Sequence, residues 1–173
     1  MQTIKLWCVF FVLFLHGAAF AGIFLEKPKD FHPKPAIVGG CFLHHKDEIL
    51  LLHRQNSKAE GNRWGIPGGK LNKDEPLFDA ISREVFEETG FQLNVENIHY
   101  IGKVYIKVPN FDFEYHMVSY LEDIKNPADV KINIGEHKGF TWVTPEDALK
   151  MDLMTDEDTC FEIVFGLGST SMN

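Results

Sequence analysis

Residues 69–91 read GKLNKDEPLFDAISREVFEETGF, and no other stretch leaves this chain so few choices. Leu77, Ile81 and Val85 recur four apart with Phe78 beside them, so a helix of 3.6 residues per turn gathers them into one apolar stripe. Asp74 and Glu75 stand where negative charge favours a helix start, and Gly90 where a left-handed residue ends one. Glu84, Glu87 and Glu88 follow at i, i+3 and i+4. They span about 100° of arc on the edge beside the stripe. A helix docked by that stripe carries three carboxylates at the border between core and solvent, where like charges repel unless a cation neutralises them. Oxygen-only donors suit a hard ion, Mg²⁺ or Mn²⁺, that keeps some of its waters. Such an ion can bridge phosphate oxygens and acidify an attacking water. The bland reading is a solvated acidic face.

Around this helix the pattern is β-rich. Residues 36–43 form an apolar run with paired glycines, 44–47 a polar turn, and 48–53 (EILLLH) a second strand, which together predict a hairpin. Residues 54–69 lack periodicity and read as a loop. Strands are expected over 99–108 and 113–121, turning at Pro109 and Asn110, and over 139–143. Thr144 caps and Pro145 opens a second helix, and a last helix covers 156–165. Strands and helices alternate without a regular βαβ rhythm, which predicts an α/β fold with a mixed β-sheet and helices packed on it.

The 173 residues suffice for one domain, placed at 36–168, with a fraying tail at 169–173. A net charge of −8 argues against a nucleic-acid polymer as partner, since that needs a basic surface. A small phosphorylated substrate stays compatible, because a bound divalent cation supplies positive charge locally. Cys8, Cys41 and Cys160 form no CxxC pair, which points away from zinc; Cys41 and Cys160 read as buried free thiols. Lys5, the apolar run 6–15 and Ala19-Phe20-Ala21 have the layout of a secretory signal peptide, cleaved after Ala21. Residues 6–25 are also long enough for a retained membrane anchor, and a misjudged start is the third option. The first two imply export or membrane association, the third a cytoplasmic protein. Residues 22–35, with Lys27, Lys29, Lys34, Pro28 and Pro33, read as a linker. A homodimer is compatible with the sequence.

The stretch 69–91 resembles the Nudix box at every specified position: Gly69, Glu75, Arg83, Glu84, Val85, Glu87, Glu88, Gly90 and Phe91. Seven fixed letters at about one in fifteen each give a chance match on the order of one in a million. The resemblance continues in Trp64-Gly65-Ile66-Pro67-Gly68-Gly69-Lys70, in Leu51-Leu52-His53-Arg54 and in Phe140-Thr141-Trp142-Val143, and so covers residues 36–150. It implies the Nudix α/β/α sandwich and Mg²⁺-dependent (or Mn²⁺-dependent) hydrolysis of a nucleoside diphosphate linked to another group. A nucleoside triphosphate, a dinucleoside polyphosphate and a sugar nucleotide all qualify. It also implies that Glu84, Glu87 and Glu88, with the Gly68 carbonyl, hold the metal. Arg83 would hold Glu84 or Glu75 in place. Glu75 would share that task, although a helix start alone would justify a Glu there. The general base is a box glutamate, Glu87, or the downstream Glu136. His137 beside it reads as a surface or supporting residue.

Arg54 is a candidate phosphate contact, with Lys70 a weaker one. Trp64 either stacks on a base or anchors its loop. Phe111, Phe113, Tyr115 and His116 alternate along one strand, so one face of it, Tyr115 above all, can line the substrate cleft. His44 and His45 read as surface residues. Relatives specific for ADP-ribose tend to carry a proline some fifteen residues past the box; Pro109 lies farther on, which disfavours that subclass. The competing class is a catalytically silent nucleotide-binding module on the same fold. Lost box carboxylates would mark it, and none is lost here.

Overall fold

The computed structural model describes residues 22–31, 33–108 and 111–167. The leader or anchor read at residues 1–21, the turn at Pro109 and Asn110 and the tail at 169–173 lie outside them. Strand β1 (Gly22–Phe24) is followed by β2 (Pro33–Phe42), β3 (His44–His45), β4 (Glu48–Arg54), β5 (Trp64–Gly65) and β6 (Gly68–Lys70). Then come α1 (Leu77–Thr89), β7 (Ile98–Val108), β8 (Phe111–Tyr120), β9 (His137–Val143), α2 (Pro145–Ala148) and α3 (Glu157–Phe165). A mixed five-stranded sheet runs β1-β7-β8-β2-β6, with β2 parallel to β8. A second, antiparallel sheet centres on β4, which pairs with β3, β5 and β9.

Side-chain alternation along the strands sets the layers. On β4, Leu50 and Leu52 pack with Ile81 and Val85 of α1, while Ile49 and Leu51 pack with Cys160 and Phe161 of α3. On β2, Cys41 joins the α1 side and Phe42 the α3 side. The result is helix, sheets, helix. Each Leu, Ile or Phe so buried contributes about 1.5–3 kcal/mol, and this docking fixes which edge of α1 meets solvent. Cys41 and Cys160 are both free and buried, as expected, and lie in the two different layers.

Three local expectations give way. The predicted hairpin of 36–43 with 48–53 does not form, because β2 is flanked by β8 and β6. The chain crosses between sheets at the buried Leu43, and only β3 turns back on β4, through Lys46 at φ 57°. Within the stretch read as linker, Gly22–Phe24 pairs with β7, and β2 begins at Pro33. Phe31 is buried edge-on against Tyr105, and Asp30 takes Lys107 at 2.6 Å. The loop 54–69 ends in the short strands β5 and β6.

Helix α1 starts at Leu77 rather than at Asp74, because Pro76 at the N-cap bars its predecessor Glu75 from helical backbone and Asp74 is left-handed at φ 61°. Gly90 ends it at φ 76° as expected. Thr144 caps α2 through the Asp147 amide.

Candidate active site

The stripe of α1 leaves its acidic edge facing the loop between β5 and β6, and there the carboxylates divide. Arg83 lays its guanidinium across both oxygens of Glu75 (Nε–Oε1 2.8 Å, Nη2–Oε2 2.9 Å) and donates Nη1 to Glu84 Oε1 at 2.8 Å. Glu75 also accepts the Asn72 amide, and the Arg83 bonds with this one hold its carboxyl down at about 2. The same carboxylates push Arg83 up, so the cation is permanent. Glu87, 54% exposed, lies 3.6 Å from Arg83 Nη1. The Glu84 carboxylate rests against Gly69, where a Cβ would stand 2.4 Å from it; only glycine lets the strand pass this close.

Glu88 faces the other way. It is 4% exposed, and its Oε2 accepts the Gly68 amide at 2.8 Å. Burial is the main reason its carboxyl is pushed up to about 8; the Gly68 bond and Arg54 oppose this, and the charges of Glu84 and Glu136 add to it. His137 Nε2 lies 3.7 Å from Glu88 Oε1, beyond hydrogen-bond reach. Burial and the nearby Arg54 lower His137 to about 4, so the imidazole is neutral and the contact is not an ion pair. Its Nδ1 is buried without a partner.

Glu88, His137, Arg54 and Gly68 line a cleft with about 420 Å³ of free space. Ile66, Tyr115, Met154 and Glu157 line it too. Tyr115, Met154 and Glu157 also wall an adjoining apolar cavity with Val38, Phe113 and Lys70. Glu157 is 7% exposed and accepts the Ile66 amide at 3.2 Å. Burial, with the charge of Asp158, pushes it up to about 7 against that bond.

The structure thus sets Glu88, Gly68 and Arg54 in one cleft with the charges of Glu84 and Glu136 acting on Glu88, joins Glu75 to Arg83, and leaves Glu87 on the exposed side. Glu136 stands 3.9 Å from Lys58 Nζ. Arg54 donates Nε to the Ala59 carbonyl at 3.0 Å. Trp64 stacks on His53 (centroids 4.2 Å, 14°) and its backbone bonds Asp152 and Met154, which makes it a loop anchor. Tyr115 faces the cleft and Phe113 the adjoining cavity, whereas His116 faces Tyr100 and Glu114 on the opposite side of β8. His137 is buried rather than at the surface, because a register shift at His53 and Arg54 sets it opposite Arg54 at the start of β9. His44 and His45 are half-buried, bonded to Ser119 Oγ (3.0 Å) and the Ile124 carbonyl (2.6 Å). Glu157 and Met154 carry no sequence signal: an acidic residue in the first turn of α3 is what any helix start favours.

The donor chemistry fits a hard cation. Glu84, Glu88, Glu136 and the Gly68 carbonyl are all oxygen donors, and a cation would offset both the burial that chiefly raises Glu88 and the like charges that add to it. Among the described residues no three His, Cys, Asp or Glu side chains converge on one point. Arg83 draws Glu84 and Glu87 aside.

A family model of the NUDIX domain matches residues 33–161. Similar proteins include the m7GpppN-mRNA hydrolase dcap-2 of Caenorhabditis elegans, 47% identical over 49 residues, which are 28% of this chain and 6% of that one. The m7GpppN-mRNA hydrolase NUDT17 of Bos taurus is 30% identical over 124 residues, 61% of this chain and 40% of that one. The chain therefore spans less than half the length of either relative. A MutT-like protein of Streptomyces ambofaciens is 23% identical over 72% of this chain and 75% of its own. Among solved structures, the MutT protein from Methanosarcina mazei Go1 superimposes with a TM-score of 0.64 at 26% identity, covering 78% of this chain and 96% of that one. A bifunctional NMN adenylyltransferase/ADP ribose pyrophosphatase from Francisella tularensis, complexed with AMP and a Mn ion, shares the fold (TM-score 0.61, 22% identity, 79% of this chain and 42% of that one). With the box complete on α1 and its flanks and the family model matched from β2 into α3, the chain belongs to the Nudix hydrolase family.

Proposed function

We propose that this protein is a divalent-metal-dependent pyrophosphohydrolase that cleaves the diphosphate of a nucleoside diphosphate bearing a further group. One observation carries the reading: a buried carboxylate, Glu88, lines a cleft with Arg54 and lies in the field of the charges of Glu84 and Glu136. Glu84, Glu88, Glu136 and the Gly68 carbonyl would hold Mg²⁺ or Mn²⁺. The ion supplies charge neutralisation for the diphosphate and a more acidic water. Glu87, exposed and only loosely paired with Arg83, takes the proton from the attacking water. The water oxygen bonds to one phosphorus, the bridging P–O bond breaks, and a nucleoside monophosphate leaves with the phosphorylated second group. Arg54 steadies the phosphates as their charge shifts. The nucleoside side of the substrate lies toward Tyr115, Met154 and Glu157, where the walls are apolar and one buried carboxyl can hydrogen-bond a ring edge. The segment 1–21 is proposed as an export signal, which places the mature enzyme outside the cytoplasm.

The test is a hydrolysis screen with Mg²⁺ across nucleoside triphosphates, dinucleoside polyphosphates and nucleotide sugars, with Glu87→Gln run beside it. Turnover of one class by wild type and its loss in Glu87→Gln is the expected result. Turnover of none, or full activity in the variant, overturns the reading. N-terminal sequencing of the secreted or cell-associated protein tests the export signal, with Gly22 expected as the first residue.

A further inference from the structure

We infer that Gln55 is a positioning residue for Glu136, gripping the turn that carries this carboxylate and setting it beside Glu88. The inference rests on the proposed role of Glu136 in holding the metal. Gln55 follows Arg54, the last residue of β4, where pairing with β9 shifts register. Its backbone amide donates to the Glu136 carbonyl at 2.8 Å. Its side-chain Nε2 donates to the Ile134 carbonyl at 2.9 Å and to the His137 carbonyl at 3.3 Å. Both side-chain partners are acceptors, so the network itself requires the NH₂ end of the amide to face the turn. One residue thus holds the carbonyls of Ile134, Glu136 and His137.

The other support of this turn comes from Asn133. Its carbonyl accepts the Glu136 and His137 amides (2.9 and 2.8 Å), and its Oδ1 accepts the Gly135 amide at 3.0 Å. Asn133 in turn donates its amide to the Glu88 carbonyl at 3.3 Å, tying the turn to the end of α1. Asn133 therefore fixes the turn's internal shape and its distance from the helix. Gln55 clasps it from the side of β4, next to Arg54, which pairs with His137 across the strands, while Lys58 reaches the Glu136 carboxylate itself at 3.9 Å. Without those two side-chain donors the turn keeps its shape and its backbone bond from the Gln55 amide to the Glu136 carbonyl, but loses the grip on the carbonyls of Ile134 and His137 that sets the direction of the Glu136 carboxylate relative to Glu88. A glutamine is suited to this: it offers two N–H groups without adding a charge to a site whose charge count matters.

The experiment is a double-mutant cycle on the full chain, read as Mn²⁺ affinity by calorimetric titration without substrate. Gln55→Met keeps the side chain's length and removes its donors; Glu136→Ala removes the carboxylate. Each is expected to weaken Mn²⁺ binding by about tenfold or more, as loss of a ligand's outer support does. The double variant should bind no more weakly than Glu136→Ala alone. If the two losses multiply, Gln55 acts independently of Glu136 and the inference fails, while the metal role of Glu136 stands. It fails in the same way if only Glu136→Ala weakens binding. Should Glu136→Ala bind Mn²⁺ like wild type, the metal role of Glu136 falls and takes the inference with it. Gln55→Asn, too short to span both carbonyls, runs through the same cycle in case Gln55→Met does not fold.

Discussion

Glu84 and Glu88 stand one turn apart on α1 and live in opposite electrostatic worlds. Glu84 shares Arg83 with Glu75, so its charge is compensated by the protein itself. Glu88 has a single backbone donor, a neutral imidazole at 3.7 Å and two like charges in its field, with only Arg54, which makes no bond to it, as a countercharge. The Arg83 side is a finished structural joint that fastens the loop before α1 to the helix. The Glu88 side lacks such a partner within the protein, and in the proposed function a cation completes it. One helix thus provides both the frame and the proposed metal site, because 3.6 residues per turn puts position i+4 almost beneath position i, with Gly69 of β6 against Glu84 and Gly68 against Glu88.

The largest effect should come from removing the uncompensated charge. Glu88→Gln is expected to lower kcat by more than about 100-fold, beyond what loss of an outer support costs. The metal-free variant should nevertheless be more stable than wild type at pH 9 or above. Glu88 is an acid raised in the folded state from 4.5 to about 8, so the folded protein holds this proton longer than the unfolded chain. Its penalty is absent below pH 4.5, grows as pH rises to about 8 and is then constant, at roughly 3–5 kcal/mol. Urea unfolding in a chelating buffer between pH 5 and 9 measures it. Adding Mg²⁺ should restore stability to wild type and not to Glu88→Gln. Equal stability of the two proteins at pH 9 without metal would remove the contrast.

Glu157 offers the same test away from the proposed metal ligands. It is raised to about 7, so its penalty grows between pH 4.5 and 7, and Glu157→Gln should recover roughly 2–3 kcal/mol of stability above that range. Glu75 must behave in the opposite sense. Held down at about 2, it stabilises the fold above pH 4.5, and that contribution is lost as pH falls toward 2. An acid limb abolished by Glu75→Gln and an alkaline decline reduced by Glu157→Gln would be the two environments seen separately.

Arg83→Lys probes the joint itself. A lysine keeps the charge and loses the fork that engages both oxygens of Glu75 while reaching Glu84. A roughly tenfold loss of kcat with a modest fall in thermal midpoint is expected, since the catalytic edge is displaced rather than removed. A KM change alone would place Arg83 in substrate binding instead.

The joint was far more legible in the sequence than the Glu88 side. Arg83, Glu75 and Glu84 are local in sequence, and helix spacing alone puts Glu84 on the right edge. The burial of Glu88 was not legible, because it depends on Gly68 arriving from β6 and His137 from β9, at long sequence separation. The predicted hairpin failed for a related reason: alternation identifies both strands, yet nothing local says that Leu43 carries the chain from one sheet to the other. Glu157 sits in an acidic run whose ordinary explanation, a helix start, is also true. Gln55 lies in a loop of polar residues, and its significance appears only when its amide is seen between two carbonyls.

The smallest effect tests whether the contrast belongs to charge or merely to position along the helix. Glu88 is the last residue but one of α1, two before Gly90, which at φ 76° donates its amide to the Phe86 carbonyl at 2.9 Å. Gly90→Ala puts a side chain in left-handed backbone, and its Cβ would meet Lys131 Cβ at 3.2 Å. The cost should be about 1 kcal/mol of stability. The end of the helix is also held by the Lys131 and Asn133 amides on the Thr89 and Glu88 carbonyls (2.8 and 3.3 Å), so Glu88 should keep its place. Activity of the folded variant is then expected to stay within about threefold of wild type. A loss as large as that of Glu88→Gln would mean that the precise run-out of the helix, rather than the uncompensated carboxylate, is what the site depends on.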